Sequence, residues 1–587
     1  MTFRAPVREL VFALQAAGLE ELLAQGFADT DFETVQAILE AAGAFAGEVL
    51  APLNRIGDQV GARYENGRVT PAPGFGEAYQ AFAKDGWTSL TAEPEHGGQG
   101  LPKAVELAVS EMVQSANMAF GLCPMLSLAA IEALTRHGTE RQKSLVLPKL
   151  VSGAWTGAMV LTEAQAGTDL AALATVARPD GAGGYKLYGQ KIFITWGDHD
   201  MTDNLVHLVI ARTPDAPPGV KGISLFLTSK KLIDEAGNLG SLNDFRPASI
   251  EHKMGIHASP TCVMLYEGAQ AELVGELNQG LAHMFVMMNA ARLEVGVQGV
   301  AIAERAFQQA LAYSQERVQG KAVWSSGPAG PIYDHPDVRR TLLLAKAKIE
   351  AARGICLLTG VLADLAKVAA TEEQRAAALA RQELLTPVAK AWSTDIGVEV
   401  ASAALQVHGG MGYIEETGAA QHYRDARIAP IYEGTNGIQA LDLSGRKLRL
   451  TNGETMRELC AEMLLIAERL TARAELASVG RRLAAGVAAL HAATDWQLAH
   501  SGPDSLVSAT AYLKLAGDVI GGWVLGRQAL AAAEQLKDEG SAPWLQAKAP
   551  LAKLYASQVL AGAPGLADAI METLPEMAGI APEALAG

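Results

Sequence analysis

The sequence predicts a mainly α chain with a β domain at its centre. Three observations carry this: apolar residues recur with a helical period over 33–150, the texture changes near Trp155 to short β-rich runs, and the helical period returns from Gln279. At ~150 residues per domain, a length of 587 suggests three or four units. The expected boundaries are an N-terminal extension at 1–34, a helical domain at 35–155, a middle β domain at 156–278, a helical bundle at 279–449 and an additional helical domain at 450–587.

Taken in order, VELAVSEMVQSANMAF (105–120) and ERQKSLVLPKLVSG (140–153) show the helical period of the first region. The runs TGAMVLTE (156–163), YKLYGQKIFIT (185–195), LVHLVIART (205–213), GISLFLT (222–228) and TCVMLYEG (261–268) read as strands, and the turn signal Asp180-Gly-Ala-Gly-Gly precedes the second. They imply a compact antiparallel β domain of about a hundred residues. Helical segments at 279–318, 335–368 and 372–407 are far longer than an average surface helix and imply a bundle. Two Gly-rich breaks, HGGMGYIEETG (408–418) and IYEGTNG (431–437), interrupt it. Beyond 450 the Ala/Leu-rich chain is again helical, with breaks expected at Gly480, Ser501-Gly-Pro and Ser541-Ala-Pro. No repeat of fixed period appears.

Composition narrows the function classes. With 49% hydrophobic and 19% charged residues the chain reads as soluble and globular. Its 48 Lys+Arg against 64 Asp+Glu leave a net charge of −16, which repels a phosphate backbone, and no Lys/Arg run is long enough to offset it. No nucleic-acid partner is expected. Cys123, Cys262, Cys356 and Cys460 lie far apart and make no metal-ligand spacing, so they read as reduced thiols and no metal site is expected. The N-terminal stretch is short, amphipathic and carries Glu9, Glu20 and Glu21, unlike a signal sequence. No run reaches ~18 uninterrupted apolar residues, so no membrane span is expected and a cytoplasmic location is.

Four features have chemical potential. LTEAQAGTD (161–169) places Thr162 and Thr168 where a strand runs out into a small-residue loop, a setting that suits a flavin or a phosphate and equally an ordinary turn. In KIFITWG (191–197), Phe193 and Thr195 alternate with Ile192 and Ile194, so an aromatic and a hydroxyl share one face; they suit a planar cofactor, and core packing as well. In PIYEGTNGIQ (430–439), Glu433 precedes a turn in which Gly434 permits close approach and Thr435 or Asn436 caps a helix; a solvated loop glutamate is the plain alternative. In MMNAARLEVG, Asn289 and Arg292 lie three apart on one helix face, suited to a phosphate or to a surface ion pair.

The order and separation of LTEAQAGTD, KIFITWG, PTCVMLYEG, ERVQGK (316–321), ALQVHGGMGY (404–413) and YRDARIAPIYEGTNGIQ (423–439), with EPEHGGQGLP at 93–102, resemble the acyl-CoA dehydrogenase family from about residue 35 to residue 449. The tail and the RAPVRELVFAL opening resemble its branch with a C-terminal helical extension, which includes 3-methylmercaptopropionyl-CoA dehydrogenases and broad-range fatty acyl-CoA dehydrogenases.

The resemblance implies a helical N-domain, an antiparallel β-barrel middle domain, a four-helix bundle and an extra C-terminal helical domain. It implies FAD between the β domain and the bundle. By motif position, Thr162, Thr168, Phe193, Thr195, Arg317, His335, Gln406, Gly409, Gly410, Thr435 and Asn436 are implied as FAD contacts, Arg317 toward the other subunit's pyrophosphate. Thr168, Asn289, Arg292 and Gly434 are implied as substrate contacts, Arg292 toward CoA. Trp196 stands where Asn is common, a change expected at the flavin edge or at access to an electron partner, and ERVQGK is one residue shorter than the usual pattern.

Glu433 matches the catalytic base. Some branches carry the base on the long helix instead, at the position of Ala291, which cannot accept a proton. The implied reaction is removal of the α-proton by Glu433 with hydride transfer from the β-carbon to flavin N5, giving a trans-2-enoyl-CoA. An electron-transferring flavoprotein is the implied electron partner and a homodimer the implied assembly, the tail occupying surface that tetrameric relatives use. Two other readings stay open: an acyl-CoA oxidase using O2, betrayed by hydrogen peroxide release, and a DNA-binding flavoprotein of the same superfamily, disfavoured by the acids Glu458, Glu462, Glu468 and Glu475 in the tail.

Overall fold

A computed structural model of the chain describes residues 3–27, 29–324, 326–539, 542–572 and 575–586. It divides into two compact units, one built on Phe32–Glu294 with Ala420–Ile428, the other on Arg8–Asp31, Val295–Ala419 and Ala429–Gly587.

In the first unit the helices Lys103–Ala116 and Met118–His137 are buried over most of their length. Asn117 between them turns the chain, its side-chain oxygen accepting the Phe120 N–H at 3.1 Å. Phe32–Val60 and Met118–His137 are long and apolar enough to cross a membrane by length and composition, although polar residues interrupt both. Met118–His137 is a core helix of this unit: a Cβ on Gly157 would lie 2.7 Å from that of Ala130, and the Gly157 N–H donates to the Ser127 hydroxyl at 3.0 Å.

The β domain comprises β1 (Trp155–Val160), β2 (Val176–Pro179), β3 (Tyr185–Thr195), β4 (Asn204–Arg212), β5 (Ile223–Ser229), β6 (Phe245–Ile250) and β7 (Thr261–Val274). Strands β2, β3, β7, β5 and β4 close a ring around a core that includes Ala177, Leu187, Ile194, Val209, Phe226 and Met264. The expectation of a wholly antiparallel domain is corrected: β1 runs parallel to β4, and so does β2 at the single pair Val176↔Arg212. The 161–203 stretch between β1 and β4 supplies the long crossover that a parallel pair needs.

In the second unit α1 (Gly280–Glu316, from Val295 onward), α2 (Pro336–Val368) and α3 (Glu372–Val407) are the long helices of the bundle. Thr371 starts α3 with a capping box closed by Gln374. Glycines let α1 and α3 touch: a Cβ on Gly299 would lie 2.3 Å from the Ser393 carbonyl oxygen, and one on Gly296 would lie 2.6 Å from that of Ala389. The tail helix Ala509–Glu539 lies against the bundle, with Gly517 under the Trp392 ring and the indole N–H donating to Asp518 at 3.0 Å. Gly480, expected as a break, instead sits in the first turn of the helix Ala477–Ala499, where a Cβ would meet the Thr471 hydroxyl at 2.3 Å.

The N-terminal helix Val7–Ala17 is bound into this unit by a charge cluster. Glu9 pairs with Lys346 at 2.8 Å and Lys548 at 3.5 Å, Glu304 with Arg353 at 2.9 Å, and Glu350 with Lys548 at 3.0 Å. Three carboxylates thus meet three cations under cover. Phe12 packs edge-on against Trp544 nearby.

Candidate active site

The loop after β1 is built from inside by a carboxylate. Glu163 accepts the Thr175 hydroxyl at 2.6 Å, the Thr175 N–H at 3.0 Å and the Ala174 N–H at 2.8 Å, and it lies 2.9 Å from the Lys191 ammonium. Lys191 also donates to the Leu161 carbonyl at 2.8 Å. Burial would raise the Glu163 carboxyl, but Lys191, the Thr175 hydroxyl and the Ala174 N–H outweigh it and bring it down to about 2. Burial pushes the Lys191 ammonium down to about 8, with Glu163 opposing.

This frame joins two of the expected cofactor segments. The Thr162 carbonyl accepts the Ile192 N–H at 2.9 Å, which sets half-buried Thr162 beside the end of β3. There the register against β7 slips, the four residues Lys191–Ile194 of β3 lying opposite the three residues Met264–Cys262 of β7. The bulge corrects the simple alternation expected of KIFITWG. It puts Phe193 at φ 60° and 59% exposed, while Ile194 is buried in the barrel and Thr195 is half-buried opposite Thr261. Trp196 is turned the other way, at 1% exposure, its indole N–H donating to the Ala119 carbonyl at 3.2 Å; it anchors the strand end, against the expectation of a place at the flavin edge. Thr168 lies on the exposed outer part of the 161–169 loop.

On α1, Asn289 and Arg292 do share a face, the guanidinium donating to the Asn289 side-chain oxygen at 3.3 Å. Arg292 is buried, with its guanidinium 5.8 Å from the Phe285 ring centre. The turn before helix Lys103–Ala116 gathers Glu93, Glu95 and His96 with one ligand atom each within 4.8 Å of one another, and both glutamates are exposed.

In the second unit, Glu433 stands at φ 56° and Gly434 at φ 84°, immediately before α4 (Asn436–Asp442). Thr435 caps α4 by accepting the Ile438 N–H at 3.2 Å. The Asn436 N–H donates to the Pro430 carbonyl at 3.0 Å and closes the turn on itself. Fully buried Lys390 of α3 donates to the Gly434 carbonyl at 2.9 Å and to the Asn436 side-chain oxygen at 3.0 Å. The Asn436 amide in turn donates to the Ala391 carbonyl at 3.0 Å and to Asp395 at 2.8 Å. From the other side, the Tyr432 hydroxyl donates to Gln298 of α1.

Arg317 and His335 come together through Gln319: its side-chain oxygen accepts from Arg317 at 3.4 Å, and its carbonyl lies 2.7 Å from His335 Nε2. Both flank a surface loop that carries exposed Val323 and Trp324. Gln406 is exposed at the end of α3, and beyond it Gly409 and Gly410 present bare backbone, since a Cβ on either would meet nothing within 4 Å. The charged residues that shape these segments, Glu163 and Lys191 in one unit and Lys390 in the other, were assigned no role from sequence. A lone lysine inside the apolar run LLTPVAKAW was the signal for the last.

Comparison with known proteins identifies the family of this fold. Models of the acyl-CoA dehydrogenase N-terminal, middle and C-terminal domains match residues 33–154, 158–269 and 278–448, and an acetyl-CoA dehydrogenase C-terminal-like model matches 454–580. The chain belongs to the acyl-CoA dehydrogenase family, oxidoreductases acting on acyl-CoA. It is 48% identical over 570 residues to a 3-methylmercaptopropionyl-CoA dehydrogenase of Ruegeria pomeroyi, covering 95% of this chain and 96% of that one. It is 32% identical to a broad-specificity linear acyl-CoA dehydrogenase of Mycobacterium tuberculosis, over 95% of each chain. A solved acyl-CoA dehydrogenase of Bacillus anthracis complexed with FAD shares the fold, with a TM-score of 0.75 at 22% identity over 95% of this chain and 92% of that one.

Proposed function

We propose that the protein oxidises an acyl-CoA thioester to its trans-2-enoyl-CoA, with Glu433 as the base that takes the α-proton. FAD is the cofactor, and it supplies acceptance of the β-hydrogen as hydride. The observation that carries the reading is the Glu433 turn: a carboxylate held in a left-handed backbone conformation by side chains of α1 and α3. Residues in such conformations concentrate where chemistry needs a fixed group.

The residues fit the cofactor. Phe193 offers an exposed aromatic face on a strained bulge with Thr195 and Thr162 beside it, and Gly409 and Gly410 offer backbone that no side chain covers. Phe193, Thr162, Thr168 and Thr195 would hold the flavin, with Thr435 and Asn436 contacting it. Arg317, His335, Gln406, Gly409 and Gly410 would hold its phosphate and adenosine end. Arg292, Asn289, Thr168 and Gly434 bind the CoA thioester in this reading. Removing an α-proton needs a positioned base and stabilisation of the developing enolate.

The high identity to the Ruegeria pomeroyi enzyme supports 3-methylmercaptopropionyl-CoA as the first substrate to try, with straight-chain acyl-CoAs next. An electron-transferring flavoprotein takes the electrons in this reading. Exposed Met411, Tyr413 and Ile414, of which Tyr413 is 86% exposed, support burial against a second copy in a homodimer.

The test is an anaerobic titration of the holoenzyme with 3-methylmercaptopropionyl-CoA and with short-, medium- and long-chain acyl-CoAs, following flavin bleaching. Bleaching in the wild type, lost in Glu433→Gln with FAD still bound, is the expected result. No bleaching by any thioester, or normal turnover of Glu433→Gln, overturns the reading.

A further inference from the structure

Glu433 occupies a left-handed backbone conformation that non-glycine residues seldom adopt. Something must hold it there. The residues on either side are held from two different helices: Tyr432 by Gln298 of α1, and Gly434 by Lys390 of α3. The two helices form one clamp, because Gly296 and Gly299 bring α1 against the carbonyls of Ala389 and Ser393, which bracket Lys390. The lysine therefore rises from a part of α3 whose backbone cannot shift without separating the helices.

Lys390 is 0% exposed. Carrying an ammonium into the interior is costly, and a leucine or methionine would fill such a place at no electrostatic cost. What the lysine provides is direction: one group bonds the carbonyl of the residue after Glu433 at 2.9 Å and the side chain two residues further on at 3.0 Å. Those bonds set the peptide plane between Gly434 and Thr435 and the start of α4, and so the φ and ψ available to Glu433. Asn436 is tied back to α3 by its own amide, so the turn is anchored at both ends of a three-residue span.

We propose that Lys390 is a positioning residue for the reaction, holding the Glu433 carboxylate where it meets the α-carbon without touching the substrate itself. This rests on the reading of Glu433 as the base. A merely structural lysine would alter stability and cofactor content; a positioning lysine alters the chemical step at saturating substrate while thioester affinity stays. A base displaced by about 1 Å is worth roughly a hundredfold in rate.

The experiment compares Lys390→Met, Lys390→Gln and Glu433→Gln as holoenzymes, measuring single-turnover flavin bleaching at saturating thioester, the thioester Kd, bound FAD and the thermal midpoint. The expected result for Lys390→Met is a roughly 10- to 100-fold slower bleaching rate, with thioester Kd within threefold of wild type and FAD retained. Lys390→Gln, which keeps a donor without the charge, is expected to lie between Lys390→Met and wild type. A Lys390→Met rate within twofold of wild type beside an inactive Glu433→Gln overturns the inference and leaves the base assignment standing. A rate loss matched by equal loss of FAD or thioester affinity also overturns it. If Lys390→Met does not fold, Lys390→Gln decides alone: about three- to tenfold slower supports the inference, and the wild-type rate overturns it. Full activity of Glu433→Gln would instead overturn the assignment of Glu433 as the base.

Discussion

The carboxylate of Glu163 stands 2.9 Å from the ammonium of Lys191, and neither side chain is more than 4% exposed. Through this pair the loop after β1 and the bulged end of β3 are one structure, since each charge also bonds backbone of the 161–175 stretch. The carboxyl titrates at about 2 in the folded protein against an ordinary value of 4.5. A depressed carboxyl adds stability that is complete above its unfolded value and disappears as pH falls from about 4.5 to about 2, here about 3 kcal/mol. Glu163→Gln is expected to lose about 3–5 kcal/mol at pH 7, because it leaves Lys191 buried without its counter-ion. Urea unfolding of wild type and variant between pH 7 and pH 2 checks this: the gap between them should close in acid. Parallel curves would remove the pair from the account.

Phe193 tests the cofactor surface. The residue is 59% exposed, so Phe193→Ala removes little packing from the protein itself, and the midpoint of the cofactor-free form should stay within about 2 °C. FAD affinity should fall about tenfold or more, by roughly 1.4 kcal/mol or above, as a stacking face is lost. Equilibrium dialysis of the flavin reads it.

The contact between α1 and α3 has no room for a methyl group. Gly299→Ala puts a Cβ 2.3 Å from the Ser393 carbonyl oxygen, and a stability loss of about 3 kcal/mol or failure to fold is expected. Gly76→Ala is the control: it lies in the helix Phe75–Lys84 with nothing within 4 Å of the added carbon, and it should add up to about 1 kcal/mol. Equal midpoints for the two variants would refute the close approach.

The N-terminal helix is held by charge under cover. Glu9→Gln would leave Lys346, Arg353 and Lys548 facing only Glu304 and Glu350, and about 3–5 kcal/mol should be lost, with faster protease cleavage ahead of residue 32. The loss should persist in 1 M salt, which screens exposed pairs and reaches buried ones weakly. A salt-sensitive loss would mean a solvated pair.

The order of elements was legible in the chain because apolar period is a local property: three on or four on marks a helix, every second residue marks a strand, and the breaks at 408–418 and 431–437 announce themselves in glycine. Glu433 stood out for a different reason, as a carboxylate set in a run of neighbours that resembles a family motif. The parallel pairing of β1 with β4 was not, since strand direction depends on where a crossover packs. Nor was the bulge at Phe193, which arises from register against β7.

Sequence by itself therefore determined the kinds of elements, their order and the segments that carry chemistry, because each is written in residues close along the chain. Tertiary structure decided which way those segments face. It turned Trp196 into the core and Phe193 out of it, seated Lys191 against Glu163, and brought Lys390 under a turn more than forty positions away. A buried charge is stable only beside its partners, and partners distant in sequence are found only once the chain has folded.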